Sequence, residues 1–296
     1  MKAEGRITTA SGNRRRFATA MAAPPFVILA VMTAYPLIFT VLYSFTNFQL
    51  LRKTVKFVGL KNYIKLFTNE YFLQSIGVTV KFTVFAVLFE VAVGFIMALF
   101  VESIHRERTA KILRVLLLVP YLLPSVTVAL SWRMMLSPNY GIINRTLEAL
   151  RLPVYNWFSD LHTALPMLIL LDIWQNAPFV FLLLYAAMQS VPQSQYEAAR
   201  MDGASYVQQV RFITVPGIAP VLALCALLRT IDSFRIFDKV NLLTGGGPAN
   251  STTTITQYLY AYGIKNLKFG FGSAGAIIMT LIVLVLSCLY IKKAVK

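Results

Sequence analysis

The chain has 296 residues, of which 57% are hydrophobic and only 14% charged, with a net charge of +16. Soluble domains carry about 25% charged residues, so this composition excludes an ordinary soluble protein and predicts an all-α, polytopic membrane protein. Nucleic acid is not the expected partner. The lysines and arginines are spread over termini and loops rather than gathered in one stripe, and cytoplasmic juxtamembrane charge accounts for them. Cys225 and Cys288 both fall inside apolar runs, which suits small packing side chains better than a disulfide or a metal pair.

Apolar stretches near the 20-residue spanning length recur along the sequence. Residues 1–20 form a polar tail with Arg14, Arg15 and Arg16, expected in the cytoplasm, and residues 21–296 form one transmembrane domain. The first span is expected from about Met21 to Ser44. Ala22-Ala23-Pro24 precedes this apolar run instead of following it, so the run reads as an uncleaved span and not a secretory signal. A basic, aromatic outer loop (45–74) leads to a second span, about Ser75–Val101. Its Lys81 and Glu90 cannot face lipid cheaply, since a central charge costs about 2.5–3.5 kcal/mol.

The charged turn Glu102–Lys111 returns through a third span, about Ile112–Leu136, bent by Pro120 and Pro124. An outer loop (137–162) with Gly141 and Asn144 follows. In the fourth span, about Thr163–Ser190, Asp172, Gln175 and Asn176 share one face; both interhelical packing bonds and lining of a solute pathway fit them. A fifth span, about Gly217–Leu243, is opened by Pro216 and Pro220 and carries Arg229, Asp232, Arg235 and Asp238 at steps of three. Gly245-Gly246-Gly247-Pro248 ends it, and a last span runs from about Phe271 to Ile291, followed by Lys292, Lys293 and Lys296. Six spans put both termini inside. Fourteen lysines and arginines then lie in the inner segments against nine in the outer loops, with the first outer loop (Arg52, Lys53, Lys56, Lys61, Lys65) the discordant one.

The cytoplasmic loop 191–216 is the longest polar passage of the second half. Ser194 with Glu197, and Ser205 with Gln208, read as capping boxes on either side of Gly203. Two short capped helices joined by a tight glycine turn are predicted there, a rigid peg outside the membrane. In the fifth span, opposite charges three apart can pair along the helix. The ladder therefore reads either as a self-neutralising salt-bridge series or as the lining of a wet cavity that binds a neutral, hydroxyl-rich solute. The sequence has no Gly-x-x-x-x-Gly-Lys-Ser/Thr phosphate loop and no His-Glu-x-x-His pair, and His105 and His162 are isolated. With no equipment of its own for ATP hydrolysis, metal binding or covalent catalysis, the chain is read as a transport subunit, not an enzyme. Energy for uphill transport would enter through a partner gripping the peg.

Glu197-Ala198-Ala199-Arg200-Met201-Asp202-Gly203-Ala204, closed by Ile213-Thr214-Val215-Pro216, resembles the Glu-Ala-Ala signature of inner-membrane permease subunits of binding-protein-dependent ABC sugar importers, of the maltose/trehalose (MalF-like) type. Val215 stands where that family customarily has leucine. Val58-Gly59-Leu60-Lys61-Asn62-Tyr63, Gly141-Ile142-Ile143-Asn144 and Leu243-Thr244-Gly245-Gly246-Gly247-Pro248-Ala249 are family-like as well, and the likeness runs from about residue 20 to the C-terminus. The resemblance implies a type I ABC importer permease fold in the inner membrane. Glu197, Ala198, Ala199, Asp202, Gly203 and Ala204 would couple to an ATP-hydrolysing subunit, two of which would carry the ATP and magnesium. It further implies a second permease as heterodimer partner, an extracytoplasmic substrate-binding protein and no cofactor on this chain. Gln175, Asn176, Arg229, Asp232 and Arg235 are the candidate pathway residues for a di- or oligosaccharide. Glycerol phosphate is the alternative solute. An ion-coupled secondary transporter using Asp232 or Glu90 is the rival mechanism, disfavoured because no internal repeat is seen and the peg would be idle. A membrane-embedded enzyme lacks paired acid/base spacing.

Overall fold

The computed structural model describes residues 4–51, 54–104 and 106–294. Arg52, Lys53, His105 and Lys296, and the side chains of Arg14, Arg15, Arg16 and Lys293, lie outside the described residues. Thirteen helices are described: α1 (Glu4–Ser44), α2 (Lys61–Phe67), α3 (Glu70–Glu102), α4 (Glu107–Leu122), α5 (Ser125–Met135), α6 (Ile142–Ala149), α7 (Ala164–Met188), α8 (Gln193–Met201), α9 (Tyr206–Gln209), α10 (Val215–Phe234), α11 (Asp238–Leu243), α12 (Ile255–Leu259) and α13 (Phe269–Ala294). The β-structure among the described residues is one antiparallel bridge, Thr46 to Phe57.

Five stretches are long and apolar enough to cross a membrane: 19–44, 70–102, 164–188, 206–234 and 269–290. The sixth expected span is two helices, α4 and α5, meeting at 90°. The bend expected from the prolines is there, as a break at Leu123–Pro124, while Pro120 stays inside α4. Leu123 and Pro124 both adopt extended backbone, and Pro124 opens α5 with no N–H to continue the ladder. The carbonyl of Leu123 left free at this break accepts from Gln175 Nε2 at 2.8 Å, the neighbouring-helix repair that a broken span needs in lipid.

Other boundaries moved too. Helix α1 begins at Glu4, within the expected polar tail, and its apolar length packs along α13 while staying almost entirely exposed. The fifth span starts at Tyr206 and not Gly217, because α9 runs through a π-turn, Val210–Thr214, into α10. The Val215 N–H reaches back to Val210 O, and Pro216, which lacks an N–H, follows at once; the wider turn fits a proline next to it.

Helices α3 and α7 form the central pair, with α10 packed against both and α4 against α7. Gly94 makes the α3–α7 contact close: a Cβ there would stand 2.7 Å from Val180 Cβ and 2.9 Å from Ala177 O. Small residues at such crossings let backbones approach when lipid supplies no hydrophobic drive. Around this crossing Ala98, Phe181, Leu184, Met188, Ile218 and Cys225 form a buried apolar cluster. Toward the other end Phe82, Ala129, Leu168, Leu171 and Val240 form a second. The end bearing 191–216 is the one the charge distribution of the sequence assigns to the inside.

The loops expected on the outside are folded. Asn144 Nδ2 donates to Tyr155 O at 3.0 Å, and its Oδ1 accepts from Trp157 Nε1 at 3.0 Å. Thr253 Oγ1 donates to Gly246 O, and Gln257 Nε2 to Gly245 O, pinning the glycine–proline loop, whose Gly247–Pro248 bond is cis. Gly94→Ile should lower the melting temperature of the detergent-solubilised protein, since overpacking costs about 1–3 kcal/mol. Gly77→Ile, where nothing lies within 4 Å of the added Cβ, is the control expected to leave it near wild type.

Candidate functional site

The charged residues of separate spans meet inside the bundle. Glu90 stands about 18 Å along α3 from its inner end. Its carboxylate receives Arg229 Nε at 2.7 Å and Nη2 at 3.2 Å, a fork-on-fork pair. Asp172 Oδ1 accepts from Lys239 Nζ at 2.5 Å and from Asn176 Nδ2 at 2.9 Å. Asp172 Oδ2 lies 3.7 Å from Arg229 Nη2 and accepts no hydrogen bond. Glu90, Asp172, Arg229 and Lys239 are all buried, so the group holds two acids and two bases. Helices α3, α7, α10 and α11 each contribute one of the four.

The network continues outward along α10. Asp232 Oδ2 takes Arg229 Nη1 at 3.4 Å, and its Oδ1 takes Arg235 Nη2 at 3.0 Å; the Asp232 and Arg235 side chains are about half exposed. The predicted four-step ladder is thus a corrected reading. Helix α10 stops at Phe234, Arg235 caps it, and Asp238 opens α11. The chain turns here because Ile236 O, freed at the break, accepts from the hydroxyls of Thr256 and Thr254. Arg133 Nη1 on α5 holds α11 from its far side through Leu242 O at 2.9 Å.

A cleft of about 280 Å³ opens beside this network, lined by Tyr121, Ser125, Asp172, Asn176, Arg229, Asp232, Ser233, Arg235, Ile236, Phe237, Asp238 and Lys239. Three carboxylates and three cations face it, together with hydroxyls, one amide and two aromatic rings. Such a surface can hydrogen-bond a neutral polyol in many directions without attracting net charge. Of the pathway candidates, Asn176, Arg229, Asp232 and Arg235 come together here, whereas Gln175 serves the α4–α5 break instead. Lys239 was not singled out from the sequence; a lysine inside an apolar run needing a buried acid was the available signal. Tyr121 and Ser125 flank the two proline-marked positions of the broken span. Glu90 and Lys81 do not meet: Glu90 belongs to Arg229, and Lys81 is exposed.

At the end expected inside, α8 and the following turn are largely exposed. Glu197, Ala198, Asp202 and Gly203 are exposed, and Ala199 and Ala204 half-buried. The helix closes with Gly203 N–H to Arg200 O at 3.1 Å and Ala204 N–H to Ala199 O at 2.8 Å, with Gly203 at φ +76°. This is the double bond pattern of a glycine-terminated helix. The Ser205–Gln208 capping box forms as expected. The Ser194–Glu197 box does not, because Pro192 caps α8 and Ser194 lies inside its first turn. Tyr196 Oη meets Thr214 Oγ1 at 3.0 Å, tying α8 to the π-turn at the root of α10.

Arg229→Met should cost about 3–5 kcal/mol by leaving Glu90 buried and unpaired. Adding Glu90→Met should recover part of that loss. A double-mutant cycle on melting temperature measures the coupling, and strictly additive effects would show the two side chains to be independent.

Over residues 90–291 the chain matches the family described as the binding-protein-dependent transport system inner membrane component. It is 38% identical over 237 residues to the trehalose/maltose transport system permease protein MalF of Thermococcus litoralis, covering 80% of this chain and 79% of that one. It is 30% identical over 280 residues to the trehalose transport system permease protein SugA of Mycobacterium tuberculosis, covering 94% and 88%. Among solved structures, a bacterial ABC transporter involved in the import of the acidic polysaccharide alginate has the same fold, with a TM-score of 0.84 at 22% identity over 97% of this chain and 98% of that one. The matched segment takes in α3 from Glu90 onward, the broken span, the cleft and the exposed α8, and the chain belongs to the family of inner membrane components of binding-protein-dependent transport systems.

Proposed function

We propose that this chain is a permease subunit of an ATP-driven, binding-protein-dependent importer of a di- or oligosaccharide of the trehalose/maltose kind. It forms the translocation pathway with a second permease, receives sugar from an extracytoplasmic binding protein, and is driven by two cytoplasmic ATPase subunits. The observation that carries this reading is the exposed, glycine-terminated α8 at the expected inner end of a bundle whose interior holds a polar cleft. Relatives named for trehalose and maltose support the solute class. The balance of three acids and three cations on the cleft also favours a neutral sugar over a phosphorylated solute, which would call for excess positive charge.

Mechanically, α8 docks on the ATPase. Ala198 and Ala199 permit close approach, and the nearly fully exposed Met201 offers an apolar anchor. Displacement of α8 passes through Tyr196–Thr214 and the Ser205-capped α9 to α10, which carries Arg229 and Asp232 in the cleft wall. The helical run Tyr206–Phe234, 29 residues long and interrupted only by the π-turn, transmits that movement over about 40 Å. The cleft thereby exchanges access from one membrane face to the other as ATP is bound and hydrolysed elsewhere.

Gly203→Val places a β-branched residue at φ +76° in otherwise open space, so only backbone strain opposes it. The reconstituted complex should keep its ATPase activity while sugar uptake falls at least tenfold; unchanged coupling would remove α8 from the drive train. Asp232→Asn should lower sugar uptake with assembly intact, measured as initial uptake rate in proteoliposomes. Uptake sustained by an ion gradient without ATP would refute the importer reading outright.

A further inference from the structure

The basic outer segment between α1 and α3 has no role in the cleft or in α8. Part of it is nevertheless built into a concave site. Lys61 and Lys65 of α2, Lys268 just ahead of α13, and Asn47, Phe48, Gln49, Val58, Asn62 and Phe271 enclose a cavity of about 210 Å³. Two segments far apart in sequence are fastened together here: Leu50 N–H donates to Leu267 O at 3.1 Å, and Gly270 N–H to Phe48 O at 3.0 Å. Asn62 is buried and fixes α2 by donating to Ser44 O and Thr46 O, each at 2.8 Å. The wall is therefore held in place by backbone and amide bonds and is not a loose cluster of surface lysines.

The groups facing the cavity are mostly donors. Among the described residues, Lys61, Lys65 and Lys268 have no acidic partner within salt-bridge distance. Asn47 Oδ1 is occupied by the Lys56 N–H at 2.6 Å, which leaves its Nδ2 as a free donor beside the lysines. No carboxylate lines the space. Three ammonium groups and an amide donor around a cavity that holds a few heavy atoms fit an oxyanion such as a phosphate.

Position decides which phosphate. The site sits where α1 ends at Ser44 and α13 begins at Phe269, the level at which lipid phosphates lie against the ends of spanning helices. Aromatic rings ring it: Tyr43 and Phe48 at 4.5 Å between centroids, and Phe48 and Phe269 at 5.8 Å, the belt that marks a membrane–water interface. It lies on the α1–α13 side, whose apolar length is exposed, and shares no lining residue with the cleft. A lipid could enter this site sideways from the bilayer without crossing the pathway.

We propose that Lys61, Lys65 and Lys268 bind the phosphate of an anionic phospholipid headgroup in the outer leaflet, fastening the start of α13 to the end of α1. The bound lipid accounts for Lys61, Lys65 and Lys268 on the face where the positive-inside tendency would not put them.

The test uses the full complex in nanodiscs of mixed phosphatidylglycerol and phosphatidylcholine, with native mass spectrometry reading the lipids retained on release. Wild type should retain phosphatidylglycerol over phosphatidylcholine. Each of Lys61→Gln, Lys65→Gln and Lys268→Gln should cut that preference about fivefold, the worth of one lysine near an anionic headgroup. Lys265→Gln, a lysine that lies outside the cavity over the Tyr260 ring, should leave it unchanged. Inorganic phosphate at millimolar concentration distinguishes the two sources: displacement of the lipid by free phosphate would assign the site to a soluble anion and overturn the lipid reading. Equal retention of both lipids by wild type would overturn it as well. So would triple-variant complexes with undiminished phosphatidylglycerol but weakened docking of the binding protein, an outcome that would assign the lysines to that protein's acidic surface.

Discussion

The buried pairing of Arg229 with Glu90 and Asp172, and of Asp172 with Lys239, is the constraint on which the rest of this bundle rests. Four buried charges are tolerable only when each has an opposite partner in hydrogen-bonding reach. Because every member comes from a different helix, satisfying the charges fixes α3, α7, α10 and α11 relative to one another. Hydrophobic burial could not select that arrangement by itself, since lipid tails are as apolar as the side chains that would be buried. The same group explains why a polar cleft can exist at that depth. Its walls are already neutral in sum, and Asp172 Oδ2 retains unused acceptor capacity beside the space.

Interrupted helices supply the other half of the design. Two breaks border the cleft, one at Leu123–Pro124 and one between Phe234 and Asp238, and each frees a backbone carbonyl from its helix. In both cases a side chain distant in sequence satisfies it: Gln175 at the first, Thr254 and Thr256 at the second. The short helix α11 that results is held at both flanks, by Asp172 through Lys239 and by Arg133 through Leu242 O. Unbroken spans would close this space with side chains; broken ones turn backbone aside and leave room for a solute.

At the inner end the physics is local. Helix α8 is closed by its own last-turn hydrogen bonds around Gly203, and α9 is opened by a reciprocal side-chain cap. Neither depends on the bundle, so the exposed α8 keeps its shape through its own local hydrogen bonds. Tyr196 and the π-turn before Pro216 are the points at which that rigid piece is joined to the spans. The family to which the chain belongs is that of the inner membrane components of binding-protein-dependent transport systems.

Much of this was legible along the sequence because it depends on neighbours within a turn or on bulk composition. The membrane class, five of the six apolar spans, the Gly203 turn and the Ser205–Gln208 cap follow from hydropathy, from φ > 0 at a glycine and from hydroxyl–amide spacing. Asn176, Arg229, Asp232 and Arg235 were identifiable because charge and amide groups in apolar runs demand partners. The partners themselves were not. Glu90 and Arg229 are 139 residues apart, and Asp172 and Lys239 are 67 apart; no periodicity connects such positions. Tertiary packing likewise moved Gln175 from the cleft to a broken span and split the Arg229–Asp238 ladder between two helices. Whether a helix can afford to stop inside the membrane depends on a remote donor arriving at its free carbonyl, and only the assembled bundle brings that donor there.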